Sequence, residues 1–305
     1  MKTRKHVILD HPVLGYFLLM IMVSVLESVA SSLDSVIAGF LPGYGTEMEV
    51  FGTKIMNATG VGVAAGAMAA VGIFCLWFRP ELKGILKKEG IKAGLLMLLP
   101  FLIFHYTGSI VSWITYGTVG ASGILIMFLR AFAPGFGEEI MFRGLGVANY
   151  MRTIKSESQI KVIFWLSSIV FGLVHAANIL AGGDPFSVAL QTVYAIGVGM
   201  LFCAVYLRTG NLWPTIIGHL SVDFLEFVRA DLGSSGGLMM HMGIGDWITI
   251  AAGAFAAVWG LRLIAPKYYP DIMAVWDRTW SRDQVSSKNG QDASKNEQDK
   301  IGADD

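Results

Sequence analysis

The chain has 305 residues, of which 54% are hydrophobic and only 15% charged. An ordinary soluble domain is about a quarter charged, so this composition excludes that class and indicates a helical membrane protein. Lys+Arg and Asp+Glu balance at 23 each, which leaves no net positive charge to attract nucleic acid.

The N-terminus is basic through Lys2, Arg4 and Lys5, and a first apolar run covers residues 13–32. A basic head before an apolar run also fits a signal peptide, and Ser28-Val29-Ala30 resembles a cleavage site. The run continues to about spanning length and Glu27 is ill placed before a cut, so a retained first helix is expected. Residues 34–57 read as a Gly-rich interfacial loop with Phe40, Tyr44 and Phe51. A second span covers 58–78, where Gly60, Gly62, Gly66 and Gly72 permit close helix packing. A short basic connection leads to a third span at 93–113. The fourth helix starts near Gly120 and continues through an acid pair toward Val147, with Pro134, Gly135 and Gly137 expected to bend it.

Arg152, Lys155 and Lys161 mark another basic connection before a fifth span at 160–181. Ala181-Gly182-Gly183-Asp184-Pro185 is a turn signal, and a sixth span follows at 188–207. Arg208-Thr209-Gly210-Asn211 turns the chain into a seventh at 212–228, and a Gly/Ser loop precedes an eighth at 247–265. Tyr268, Tyr269, Trp276 and Trp280 suit an interface. Residues 281–305 are polar and aperiodic, which predicts a disordered tail.

The expected fold is therefore all-α, a polytopic membrane helical bundle of about eight transmembrane helices. It forms one membrane-embedded domain over 1–280, with a catalytic core at about 120–228. An even span count puts both termini on one side, and the basic connections lie on that same side. By the positive-inside rule the N- and C-termini are cytoplasmic, in a multi-pass protein of the cell membrane that contacts lipid. Cys75 and Cys203 are too few for a disulfide framework and read as small buried hydrophobes.

Ionisable groups at membrane depth are costly and are functional candidates by default. Glu138, Glu139 and Arg143 stand together in an apolar sequence. Glu139 and Arg143 are four apart and share a helix face, so they read as an ion pair. Glu138 is rotated by about 100° and stays free for reaction. The bland alternative is a helix end whose charges snorkel. His175 follows Phe171 by one turn in the fifth span. A lone histidine there is more often a packing residue, and Asn178, one turn on, is placed to bond to it and would support that reading. His219 and Asp223 stand at i and i+4, where a carboxylate can fix an imidazole tautomer. Glu226 and Arg229 lie nearer the helix end and read as interfacial. Arg130, eight residues before Glu138, needs a partner, for which Glu27 is the candidate.

Glu, His and His on three apolar helices form an inventory suited to activating water. In one route zinc binds His175 and His219 with Glu138 or Asp223 and acidifies a water. In the other, Glu138 is a general base without metal and the histidines stabilise an oxyanion. The sequence leaves both routes open.

Glu138-Glu139-x-x-x-Arg143, Phe171-x-x-x-His175 and His219-x-x-x-Asp223 resemble, in order and separation, the three motifs of the CPBP (CAAX protease and bacteriocin-processing, or Abi) family. The resemblance implies an intramembrane endopeptidase, a hydrolase labelled a metalloprotease. In it Glu138 activates water with help from His175 and His219, Asp223 fills the last motif position, and Glu139, Arg143 and Phe171 support the site. It implies a peptide or protein substrate and allows a prenylated one. Two other classes compete: a non-catalytic membrane regulator or bacteriocin-immunity scaffold, and a proton-coupled transporter using Glu138, His175 and His219 as a relay.

Overall fold

The computed structural model describes residues 82–179, 183–229 and 243–280 without a break, the strands of a hairpin at 47–50 and 53–56, and isolated positions between 11 and 76. Most of the first two expected spans, the loop at 230–242 and the tail at 281–305 lie outside the described residues, as does Glu27. The described body is helical. It runs through α1 (Ile91–Tyr116), α2 (Ala121–Glu139), a π-helical segment (Ile140–Val147), α3 (Ala148–Arg152), α4 (Ser158–His175), α5 (Pro185–Thr209), α6 (Trp213–Phe227), α7 (Ile244–Leu263) and α8 (Tyr269–Thr279). Strands β1 (Glu47–Val50) and β2 (Thr53–Met56) pair antiparallel, Glu47 opposite Met56 and Val50 opposite Thr53. They fall within the stretch expected to be a loop.

Among the described residues four helices are long and apolar enough to cross a membrane: Ile91–Tyr116, Ser158–Ile179, Pro185–Thr209 and Ile244–Leu263. The chain is a membrane protein on that ground. Helices α2 and α6 were expected as spans and do not meet the same standard. Helix α6 has 15 residues, about 22 Å of rise, against a hydrocarbon core of about 30 Å. These are the two helices that carry the acids, and they pack on one another.

Helix α5 is the most buried of the four candidate spans and touches α1, α4, α6, α7 and α8. Its ends follow from local chemistry. Asp184 caps the start, accepting hydrogen bonds from the Ser187 backbone N–H and hydroxyl, both at 2.9 Å, and Pro185 occupies the first turn. Those bonds hold the Asp184 carboxyl below its ordinary pKa. Gly210, at φ 58°, ends the helix in a left-handed conformation. Against α7, Gly197 meets the Gly253 carbonyl and Gly260 meets the backbone at Met200 and Leu201. Side chains there would push the two helices apart.

The α5–α6 turn is latched to the connection before α1. The Asn211 side-chain amide donates to the carbonyls of Lys87 (2.6 Å) and Glu89 (2.9 Å), and its Oδ1 accepts the Trp213 backbone N–H (2.9 Å). Trp213 Nε1 donates to the Ile85 carbonyl, Tyr206 to that of Lys83, and Lys87 Nζ to that of Thr209. Burial here pushes the Lys87 ammonium below its ordinary pKa, against the pull of Glu89. Because Trp213 begins α6, the latch sets where the His219 helix enters the body.

Two outcomes follow. Gly197→Val is expected to destabilise the protein by about 1–3 kcal/mol or more, because the α5–α7 contact has no room for the added atoms. Asn211→Ala is expected to cost about 1–3 kcal/mol by removing the fully buried side chain whose amide bonds the Lys87 and Glu89 carbonyls. Thermal and denaturant unfolding of the detergent-solubilised variants measures both.

Candidate active site

The acid pair stands where the backbone changes its winding. Helix α2 ends at Glu139, and the next eight residues, all buried, are π-helical. π-Helical turns are rare and concentrate at functional sites. Pro134 lies inside α2, and the change of winding starts only at Ile140, after the expected bend position. Tyr16 braces this segment from outside. Its hydroxyl lies 3.5 Å from the Phe142 carbonyl, and its ring fills the space beside Gly146.

Glu139 and Arg143 are both fully buried. Arg143 Nη1 donates to Glu139 Oε1 at 2.8 Å, and Nη2 donates to the Gly199 carbonyl of α5 at 3.3 Å. The guanidinium carbon lies 4.3 Å from the Phe171 ring centroid, with Phe202 at 5.8 Å and Phe142 at 5.9 Å. An aromatic cage thus holds a cation that cannot shed its proton. The bland reading, a snorkelling helix end, does not fit such burial.

His219 Nδ1 donates to the same Glu139 oxygen at 3.0 Å. That bond leaves Nε2 as the nitrogen facing outward, 3.5 Å from Asp223 Oδ2 and 4.0 Å from Glu138 Oε2. The two adjacent acids therefore occupy different settings. The Glu139 side chain is 0% exposed and accepts two charged or polar donors, whereas that of Glu138 is 26% exposed. Glu138 Oε2 is itself a buried atom with no hydrogen-bond partner among the described residues. The layer is tight because Gly135 lets α2 approach α6: a Cβ there would lie 2.7 Å from the Leu220 backbone.

His175 is the last residue of α4, and its Nδ1–H donates to the Phe171 carbonyl at 2.9 Å. Asn178 Nδ2 donates to Gln191 Oε1 at 2.9 Å rather than bonding to His175. The Phe171 ring lies between the imidazoles, 5.2 Å from that of His175 and 5.7 Å from that of His219. The donor atoms are of the kind zinc takes. As placed, however, His175, His219, Glu138 and Asp223 do not converge as a ligand set, and no three His, Cys, Asp or Glu side chains among the described residues do so.

Glu226 and Arg229 turn toward neighbouring helices. Arg229 is 1% exposed, ion-paired with Asp246 of α7 and stacked 4.7 Å from the Tyr116 ring centroid. Glu226 Oε1 accepts from Ser109 at 3.3 Å and lies 3.7 Å from His105 Nε2. His105, fully buried and 3.2 Å from the Tyr194 hydroxyl, went unnoticed in the sequence. Its only signal was an imidazole in an apolar run, spaced one turn from Phe101 and Ser109. Arg130 packs its guanidinium carbon 4.8 Å from the Phe227 ring centroid and acts electrostatically on Asp223.

Residues 120–225 match the family model described as type II CAAX prenyl endopeptidase Rce1-like. No curated protein and no solved structure matches the chain. The matched segment, about a third of the chain, holds all three motifs and the whole Glu139–Arg143–His219 arrangement, and over that segment the chain is similar to the CAAX protease family.

Proposed function

We propose that the chain is an intramembrane endopeptidase that hydrolyses a peptide bond at Glu138. The observation that carries this reading is the 4.0 Å gap between Glu138 Oε2 and His219 Nε2. It is too long for a hydrogen bond and short enough for one water to bridge. A water held there has a carboxylate to take its proton and an imidazole beside it.

In the proposed reaction the Glu138 carboxylate removes a proton from that water, and the water oxygen attacks the scissile carbonyl carbon. His219 gives Nδ1–H to Glu139, and in its protonated form it presents Nε2–H to the oxyanion. His175 is the second donor, since its Nδ1–H is committed to the Phe171 carbonyl and its Nε2 is left for the site. The C–N bond then breaks, and the proton held by Glu138 passes to the leaving amine. Asp223 sets the local charge beside His219 Nε2 and offers an acceptor to a substrate N–H. Glu139 and Arg143 are positioning residues that act through the His219 ring. No step is routed through a metal, because the four side chains do not converge on one.

The substrate is a peptide or protein reaching the site from the membrane. The family description makes a prenylated C-terminal tail its leading candidate. The eight-span arrangement with cytoplasmic termini belongs to the same proposal, supported by the basic connections.

Purified protein in detergent is expected to cleave prenylated peptides. Glu138→Gln should lower kcat by about 10²–10⁴ with little change in thermal stability, as expected for loss of a general base. Full activity in that variant rejects the mechanism. Chelator is expected to leave the rate unchanged, and a loss reversed by added zinc would replace the base with a metal-bound water. Arg143→Ala removes the ionic partner of the buried Glu139 carboxylate, leaving it only the His219 hydrogen bond, and is expected to cost about 3–5 kcal/mol of stability in denaturant titration.

A further inference from the structure

The four candidate spans share one end. The start of α1 lies by the end of α5, where Lys87 Nζ meets the Thr209 carbonyl, and Trp259 of α7 donates to the Met97 carbonyl near that same start. Helices α4 and α5 run antiparallel, since Gly172 meets Ile196 and Ser168 meets Gly199. The starts of α1 and α4 and the ends of α5 and α7 therefore lie at one level. The described stretches there (82–92, 152–161, 208–211 and 262–280) hold eleven Lys and Arg against four Asp and Glu. Around the opposite ends the described residues hold Asp184, Glu226 and Asp246 with Arg229, so the excess of cations marks one face of the bundle.

Helix α8 lies on that face. Its apolar side is buried through Tyr269, Ile272 and Trp276, and Trp276 Nε1 donates to the Leu207 carbonyl at 3.0 Å. Asp271 and Arg278 on its other side are exposed. An amphipathic helix flanked by tyrosine and tryptophan belongs at the level of lipid headgroups.

Just past the end of α8 the Trp280 ring gathers two cations from distant parts of the chain. Lys83 Nζ, before α1, lies 4.5 Å from the ring centroid, and the guanidinium carbon of Arg152, at the end of α3, lies 5.3 Å from it. Trp280 Nε1 is a buried donor with no acceptor among the described residues. Indole N–H, ammonium and guanidinium all donate, and none of them accepts. Two positive charges and an unused N–H around one ring call for an anion with several acceptor oxygens. The Lys and Arg stems are long and flexible, so they can close on such a group and uncover the N–H. At headgroup level that anion is a phospholipid phosphate. A zwitterionic headgroup would bring a cation of its own into the cluster, whereas an anionic one brings none.

We propose that Lys83, Arg152 and Trp280 form a binding site for the phosphate of an anionic phospholipid, which ties the connection before α1 to the ends of α3 and α8. The site uses no residue assigned to hydrolysis and stands apart from the peptidase reading. Because α3 continues directly from the π-helical segment, the bound headgroup also braces the winding that follows Glu139.

The test titrates the full-length protein in detergent with dioleoyl-phosphatidylglycerol or dioleoyl-phosphatidylcholine. Bound lipid is read by native mass spectrometry, and the unfolding temperature is read alongside. The first phosphatidylglycerol should bind about tenfold more tightly than phosphatidylcholine, as expected for two cations at a membrane surface, and should raise the unfolding temperature. Arg152→Gln, at an exposed position, should remove most of that preference, and Trp280→Phe, which keeps a ring and loses the N–H, should weaken it. Lys161→Gln, an exposed cation of the same face on α4, should leave it intact. Equal affinity for the two lipids in the unmodified protein overturns the proposal, and that comparison needs no variant to fold. A preference untouched by Arg152→Gln, or lost equally with Lys161→Gln, belongs to the whole basic face and rejects this site. Inorganic phosphate alone should not raise the unfolding temperature; stabilisation equal to that by phosphatidylglycerol assigns the cluster to a free anion and rejects the lipid.

Discussion

The arrangement depends on neutralising one cation. Arg143 has no exposure and no way to lose its charge, so its guanidinium must be satisfied inside the protein. Glu139, the Gly199 carbonyl and the faces of three phenylalanines do this together. Once Glu139 is committed to Arg143, its oxygen also fixes His219 through Nδ1. The ring can then offer only Nε2 to the space shared by Glu138 and Asp223. A single buried charge thereby decides the orientation of a side chain on another helix. Such pairs are weak evidence for stability, since well-packed apolar residues often do as well, and their better-attested use is to select one arrangement.

The scaffold supplies the close approaches that this arrangement needs. Gly135 brings α2 onto α6, Gly199 gives α5 a backbone carbonyl within reach of Arg143, and the Gly197–Gly253 contact holds α5 against α7. The latch through Asn211 fixes the start of α6 at Trp213, about two turns of helix before His219. The π-helical winding after Glu139 also matters. It ends the α-helical register right after the acids and keeps Arg143 turned toward α5.

Charged side chains along α6 are satisfied in layers. His219 and Asp223 face the α2 acids, Glu226 faces Ser109 and His105 on α1, and Arg229 is paired with Asp246 of α7. A helix this polar has little apolar surface to offer lipid. Its 15 residues are shorter than a spanning helix needs, and its neighbours in the bundle shield it.

The sequence by itself determined the class and the motifs. Low charge and long apolar runs require helices that satisfy their own backbone, and turn chemistry placed the ends of α5 within a few residues through Asp184, Pro185 and Gly210. The i, i+4 spacing of Glu139 and Arg143 fixed their pairing, because that contact is local to one helix. The tertiary structure alone decided the rest. Glu139, rather than a carboxylate of its own helix, holds His219 Nδ1, and the i+4 Asp223 meets Nε2 instead. Arg229 proved buried, and Glu226 stands beside the buried His105 in a second polar cluster. Each of these rests on contacts between helices far apart in the chain. Periodicity along one helix states which residues share a face, but only the packing of helices states what that face meets.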